Sequence, residues 1–338
     1  MTHPTLVEVM SQPAFYPHKP DTVTVIQTHI SFIFIAGDLV YKVKKAVDFG
    51  FLDFTTLEKR KYYCEQEVVL NRRFAPDVYI GVVEITEDRE GNLRPGAEGA
   101  IVEHAVKMKK IPEEKMLYRL MEAGRVTEDD VVRVGRHLAR VYGNIPSDEG
   151  AQQFGTPDVI ATNVIENFDQ TRKYRGGPVS GEAFDALESW SRSFMAGNIA
   201  LFDMRIAQGH IKDCHGDLHL QHICIEDAAI SVFDCIEFNE RFRFGDVASD
   251  VAFLSMDFDF NGESGLGDTF VGAYVDESGD ASLRDVLKFY KVYRAMVRAK
   301  VTSFMLDDGG LDDAARGEAF RRAQQYYELA YGYVTHED

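Results

Sequence analysis

A change of hydrophobic period near residue 110 constrains the fold more than any other feature of this chain. Ahead of it, apolar residues alternate or run in short β-rich blocks; behind it, they recur at spacings of three and four. Thr22–Gln27 alternates, and Ser31–Ala36 and Leu39–Lys45 follow, joined by the hairpin dipeptide Gly37-Asp38. Thr55-Thr56-Leu57-Glu58 reads as a capping box opening a helix to about Phe74, which Ala75-Pro76-Asp77 ends. Val78–Ile85 and Ala100–Met108 read as two more strands across a turn-rich loop, Asp88–Gly96. Beyond Pro112 the spacing predicts helices over Glu113–Glu122, Glu128–Tyr142, Gly181–Gln208, Leu283–Met305 and near Gly317–Tyr333. One hairpin interrupts them: Ile223–Ile225 and Ile230–Phe233 flank Glu226-Asp227-Ala228-Ala229. Five strands with an embedded helix, then a helical part carrying one hairpin, make a two-lobed α+β arrangement. The division falls near Met108–Ile111, giving residues 1–108 as one lobe and 109–338 as the other.

Composition narrows the function classes. With 45% apolar residues in 338, a core of ordinary size needs no disulfide staples. Cys64, Cys214, Cys224 and Cys235 form no C-x-x-C pair, so no zinc knuckle or redox motif is indicated. Met1–Met10 lacks the pattern of a signal peptide, and the longest apolar stretch, around Ile30–Gly37, is too short to span a bilayer. A reduced cytoplasmic protein without a membrane segment is the expectation. The 37 basic and 55 acidic residues leave a net charge of −18, which repels nucleic-acid phosphates. Such a charge suits a cationic small molecule, or it simply solvates the surface.

Cys214–Asp250, CHGDLHLQHICIEDAAISVFDCIEFNERFRFGDVASD, carries the chemistry. Gly209 ends a helix, His215-Gly216-Asp217 lies in a loop, and a hairpin leads on to Asp234. Two carboxylates delivered to the ends of a tight hairpin suit phosphoryl transfer. One accepts the proton of an attacking hydroxyl, and the other holds magnesium on the β- and γ-phosphates.

This segment resembles the aminoglycoside phosphotransferase and choline kinase branch of the protein-kinase-like superfamily, whose pattern is H-G-D-L-H-x-x-N, I-D, then G-D-x-A-x-D. The chain matches it with His215, Asp217, Asp234, Gly245, Asp246, Ala248 and Asp250, and departs from it at His222, which replaces the asparagine. The resemblance extends more weakly over both lobes. It implies a kinase-like fold: an N-lobe of antiparallel sheet with one helix, and a largely helical C-lobe with the catalytic hairpin. It implies an ATP-dependent kinase that phosphorylates a hydroxyl of a small molecule, with an amino sugar or aminoglycoside-like compound as the expected acceptor. Asp217 is then the base, His215 a brace of its loop, Asp250 an anchor of that loop and Asp246 a helix N-cap. Asp234 binds metal. His222 either binds it directly, binds it through water, or marks a lost second site; the first two are favoured, and imidazole brings manganese in beside magnesium.

The same resemblance asks for a phosphate-binding lysine and a glutamate that holds it. Lys42 followed by the helix carrying Glu67 has the expected order; Lys44 and Glu65 are the alternatives, with Lys44 expected to matter little for turnover. Backbone groups of Lys107, Met108 and Lys109 are expected to grip adenine. Gln27–Ser31 stands where a G-x-G-x-x-G loop would be, which argues against an ordinary protein kinase, and no Walker motif occurs. Glu237, Glu240, Asp257 and Asp259 are candidates to bind an amine on the acceptor.

Two other classes compete. His215, Asp217, His219 and His222 crowd eight residues and would suit a metal-dependent hydrolase, but their spacing fits no zinc motif. A pseudokinase-type binding protein would explain His222 and the glycine-poor loop. Lys291, Arg294 and Arg298 share a helical face; they contact a substrate anion, brace the acidic loop around Glu237, or form an ion-paired surface. The aromatic residues of Phe49–Phe54 read as packing.

Overall fold

The computed structural model describes residues 5–227 and 229–336, so the first four residues of the N-terminal stretch and turn residue Ala228 lie outside the described part. The chain forms two compact units, one from Met1–Arg125 with Gln221–Arg243, the other from Val126–Leu220 with Phe244–Asp338.

The first unit is built on a six-stranded antiparallel sheet. Its strands are β1 (Val23–Gln27), β2 (Ser31–Ala36), β3 (Leu39–Lys44), β4 (Tyr79–Glu87), β5 (Leu93–Pro95) and β6 (Ala100–Lys109), in spatial order β1-β2-β3-β6-β4-β5. Gly37 turns β2 into β3 at a φ of +62°, which glycine adopts freely. Period-2 alternation then separates two faces. Tyr41, Val43 and Ala105 pack with Leu6, Met10, Phe15 and Tyr16. Val40, Val106 and Met108 pack on the other side with Cys64 and Val68 of the helix Leu57–Asn71. Lys42 and Lys44 have the parity of Val40, so both lie on the face that this helix covers.

Thr56 caps that helix by accepting the Lys59 N–H at 3.2 Å, one position beyond the expected Thr55. The helix stops at Asn71, short of Phe74. Buried Arg60 ties it to β6 through both Glu103 oxygens at 2.9 Å, while its Nη1 donates to the carbonyls of Phe54 and Thr55. Strand β5 arises inside the expected loop. It pairs only with β4, so Pro95 removes no ladder bond from a central position. Phe54 is fully buried, whereas Phe51 remains exposed beside Phe238 and Phe242, and Phe49 remains exposed against Phe51.

The hairpin Ile223–Ile225 with Ile230–Val232 forms as expected. It belongs to the first unit, through a Met116–Cys224 bridge and a hydrogen bond from Val232 N to Phe74 O. This division differs from one at 108/109: the first unit runs on to Arg125 and takes back Gln221–Arg243.

In the second unit, Glu128–Gly143 opens with a complete capping box from Thr127 and Asp130. Gly135 lets it press on Ser264–Ser278, where an added Cβ would lie 2.7 Å from the Phe270 carbonyl. The expected helix Gly181–Gln208 is two helices, Gly181–Gly197 and Ile199–Ala207, broken at Asn198; Glu113–Glu122, in the first unit, is a 3-10 turn followed by Leu117–Glu122. Pro157–Thr171 and Val247–Phe260 complete a bundle with Leu283–Phe304 and Asp313–Thr335. Ile211–Asp213 pairs with Phe244–Asp246 beside it. Among the described residues, no helix is long and apolar enough to cross a membrane.

Candidate active site

Five ionisable residues of the first unit interlock between the sheet and the helix Leu57–Asn71. Lys42 Nζ lies 2.9 Å from Glu67 Oε1 and 2.5 Å from Asp234 Oδ1. Lys44 Nζ lies 2.6 Å from Glu67 Oε2 and is bonded to Glu237 as well. Glu67 is therefore shared by both lysines, one on each oxygen. Glu65 forms only a long surface pair with Lys61, on the exposed side of the helix. The lysines differ in access: the Lys42 side chain is 12% exposed and that of Lys44 1%. Lys42 is thus the less enclosed of the two lysines that Glu67 holds.

Burial works to discharge Lys42, but Asp234, Glu67 and Glu237 outweigh it and hold its pKa well above the ordinary value. Lys44 is raised too, because Glu237 and Glu67 overcome the same burial. Burial likewise works to raise Glu67, yet the two lysines bring it below the usual carboxylate value. Glu237 stays above that value, since burial exceeds what Lys44 returns.

Asp234 follows the hairpin with a φ of +62°, a left-handed conformation uncommon outside glycine. Its neighbours hold that turn. Asp234 N donates to Tyr79 Oη at 3.0 Å, and Cys235 N donates to Asn71 Oδ1 at 2.9 Å. Asn71 Nδ2 in turn donates to Glu67 O at 2.9 Å. Sequence reasoning missed Tyr79 and Asn71. The spacing of four from Glu67 to Asn71 was the available signal, since it puts both on one helical face. His222 Nε2 lies 3.8 Å from Asp234 Oδ2, and the His222 carbonyl accepts Phe233 N at 3.0 Å. One carboxylate oxygen thus faces Lys42 and the other faces an imidazole, on a side chain 43% exposed.

In the second unit, Asp217 sits on a loop fixed from several directions. Asp250 accepts the N–H groups of His215 at 2.8 Å and Gly216 at 3.2 Å, and the Tyr142 hydroxyl at 2.6 Å. Gly216 has a φ of +84°, so the middle position of H-G-D needs glycine here. Fully buried His215 accepts the Asp217 N–H on Nδ1 at 3.3 Å, which leaves its ring proton on Nε2. Arg294 Nη1 donates to the Gly216 carbonyl at 2.8 Å, its Nε to Ser249 Oγ at 2.9 Å and its Nη2 to Asp250 at 3.2 Å. Asp217 itself is 36% exposed, with His219 Nε2 at 3.5 Å. Asp246 caps Val247–Phe260 through Ala248 N and is held by Arg205, which also binds Asp280.

The other nominated residues stand as follows. Lys107, Met108 and Lys109 lie inside β6 with β3 on one side and β4 on the other. Lys109 N is bonded to Val78 O and Lys110 N to Asp38 O, so the ladder takes up the backbone groups expected to grip adenine. Of the expected amine ligands, Glu237 is committed to Lys44, Asp257 accepts Leu220 N at 3.0 Å, and Asp259 binds Lys291 at 2.8 Å and the Tyr333 hydroxyl. Glu240 is exposed at the start of a short helix, Glu240–Arg243. Lys291 and Arg294 brace the second unit, and not the Glu237 segment.

No family model matches the chain. An uncharacterized protein of Mycobacterium tuberculosis (strain ATCC 25618 / H37Rv) is 33% identical over 296 residues, covering 87% of this chain and 57% of the relative. One from Mycobacterium bovis (strain ATCC BAA-935 / AF2122/97) matches equally, so the chain spans only 57% of the curated relatives it matches. Three solved structures align along nearly the whole chain. A choline/ethanolamine kinase family protein from Mesorhizobium loti has a TM-score of 0.55 at 13% identity, covering 98% of this chain and 99% of that one. The GDP complex of aminoglycoside 2'-phosphotransferase-IIIa has 0.54 at 11%, covering 96% and 99%. An amicoumacin kinase in complex with AMP-PNP, Ca2+ and Ami has 0.52 at 14%, covering 96% and 92%. At these identities the likeness is one of fold.

Proposed function

From the protein-kinase-like fold that this chain shares with choline kinase and aminoglycoside phosphotransferase structures, we propose that it transfers the γ-phosphoryl group of ATP to a hydroxyl of a small molecule. One observation carries this reading: Lys42 Nζ bridges Glu67 and Asp234 on a side chain that keeps 12% exposure. An isolated surface lysine makes no such pair of contacts, and a purely structural one would be closed off as Lys44 is.

Each residue then has a task. Lys42 binds the α- and β-phosphates, and Glu67 keeps its ammonium aimed at them. Asp234 and His222 suit a divalent cation, with one hard oxygen and one imidazole nitrogen on adjacent groups. The cation, when bound, offsets charge on the β- and γ-phosphates. Asp217 accepts the acceptor's hydroxyl proton as the new P–O bond forms and the bond from the γ-phosphorus to the ADP oxygen breaks. The loop around Asp217 is pinned by Asp250 and Arg294, so the base is positioned before substrate arrives.

Purified protein screened for ATP consumption against amino sugars, aminoglycosides, choline-like amines, simple sugars and hydroxy acids tests the reading. Lys42→Ala is expected to lower turnover of the accepted compound by about 10²–10³-fold, the usual loss for one electrostatic contact to transferring charge. Full activity in that variant would remove Lys42 from the mechanism.

The cation gives a second test. His222→Asn restores an oxygen ligand, so that variant should stay active and shift its preference from manganese toward magnesium. His222→Ala should lose activity with both. If His222→Ala matches wild type across both metal titrations, His222 only packs the hairpin, and Asp234 serves the cation without it.

A further inference from the structure

Three basic side chains share one face of the helix Leu283–Phe304, and two are fully employed. Lys291 pairs with Asp259 at 2.8 Å. Arg294 spends its donors on Ser249, Gly216 and Asp250. Arg298, one turn on, is different. Its single hydrogen bond runs from Nε to Tyr326 Oη, and at 3.4 Å it is long. Its guanidinium lies over the Tyr326 ring, 5.6 Å from the centroid. Among the described residues, neither Nη group has a hydrogen-bond partner, and no carboxylate comes within ion-pair distance of it.

The location gives this open fork meaning. Arg294 holds the carbonyl of Gly216, the residue before Asp217, and Arg298 stands about 6 Å further along the same face. Burial works to lower the Arg298 pKa, but the Tyr326 hydroxyl and the carboxylates of Asp217 and Asp257 raise it above the ordinary value. The group is thus a permanent cation, half-buried, one helical turn beyond the arginine that holds the Asp217 loop. A guanidinium presents five N–H donors in a plane, and its geometry matches carboxylate or phosphate with two parallel bonds. The acids expected to receive an amine are, by contrast, already satisfied, apart from exposed Glu240.

We propose that Arg298 binds an anionic group, carboxylate or phosphate, carried by the acceptor whose hydroxyl Asp217 deprotonates. The acceptor is then a hydroxylated acid and not an amino sugar. This rests on the phosphotransfer reading and adds the substrate class to it. The net charge of −18 slows the encounter with such an anion without removing the local contact.

The test uses the full chain and acceptors matched in scaffold but not in charge: glycerol, glycerate and glycerol 3-phosphate; glucose, glucosamine, gluconate and glucose 6-phosphate. An acid member should exceed its neutral and amine partners by at least about tenfold in kcat/KM, and the carboxylate and phosphate arms identify which anion is read. Arg298→Gln should raise KM for that acid by about 10- to 100-fold, the range for a lost charge-assisted bond, with kcat little changed; Arg298→Lys should fall between. A neutral or amine compound as best acceptor overturns the proposal. So does a fall in kcat at constant KM, which would assign Arg298 to the transferring phosphoryl group. If the protein binds ATP yet phosphorylates nothing, phosphotransfer fails on its own. Calorimetry with gluconate and glycerol 3-phosphate then decides the anion site: binding weakened in Arg298→Gln and Arg298→Lys supports it, and equal or absent binding overturns it.

Discussion

Asp217→Asn is expected to lower acceptor-dependent turnover by about 10²–10⁴-fold, the usual cost of losing a general base. The amide keeps the shape of the side chain but cannot take the hydroxyl proton. The loop should keep its form, because Asp250 and Arg294 hold its backbone and the His215 ring accepts the Asp217 N–H. Nucleotide binding should be near wild type, since Lys42, Glu67 and Asp234 are untouched. Single-turnover kinetics beside equilibrium ATP binding separate the two effects. Unimpaired turnover in the variant would mean that another group takes the proton.

Lys44→Met is expected to destabilise the protein by about 3–5 kcal/mol, as for one partner removed from a buried ion pair. Sequence reasoning gave Lys44 little importance, because Lys42 sits more centrally in its strand. The structure instead closes Lys44 between Glu67 and Glu237, where its removal leaves Glu237 without its cation. Neutralising that orphan should help, so Lys44→Met with Glu237→Gln should recover much of the loss. Urea unfolding of the single and double variants provides the measurement. A Lys44→Met midpoint equal to wild type would show that water already reaches the pair.

The elements read correctly were those with one face to the core and one away from it. The helices at Glu128 and Leu283 announce themselves by period, and β2 and β3 as short β-rich blocks on either side of the Gly37-Asp38 turn. Val247–Phe260 escaped because it is buried on all sides from Val247 to Phe258, so its apolar residues keep no period. β5 escaped because three residues ending in proline carry no strand signal, and pairing with β4 alone creates it. The break at Asn198 interrupts a pattern that continues on either side. Among the candidate site residues, Asp217 and Asp234 were nominated through a motif with fixed spacing, and Lys42 and Glu67 through the order of strand and helix. Tyr79, Asn71, the segment that Arg294 braces and the second role of Glu67 were not, because each depends on which groups the fold brings together. Glu237, Asp257 and Asp259 were nominated by nearness in sequence, and the fold gave them structural partners instead.

The route of the chain has a consequence for its synthesis. The first unit takes Met1–Arg125 but is completed only by Gln221–Arg243, after the chain has supplied Val126–Leu220 to the second. On the ribosome, Lys42, Lys44 and Glu67 emerge long before Asp234 and Glu237. For that interval two ammonium groups share a single carboxylate, and the pocket that will bury them holds excess positive charge. Closing the sheet over its lysines is therefore costly at that stage, and Asn71 and Tyr79 lack the turn they later hold. A ribosome stalled just after residue 125 should expose a nascent segment that proteases cut readily, and one stalled far enough past residue 243 to release that segment from the exit tunnel should not. The carboxylates that neutralise the two lysines are thus also those that end the vulnerable stage of its birth.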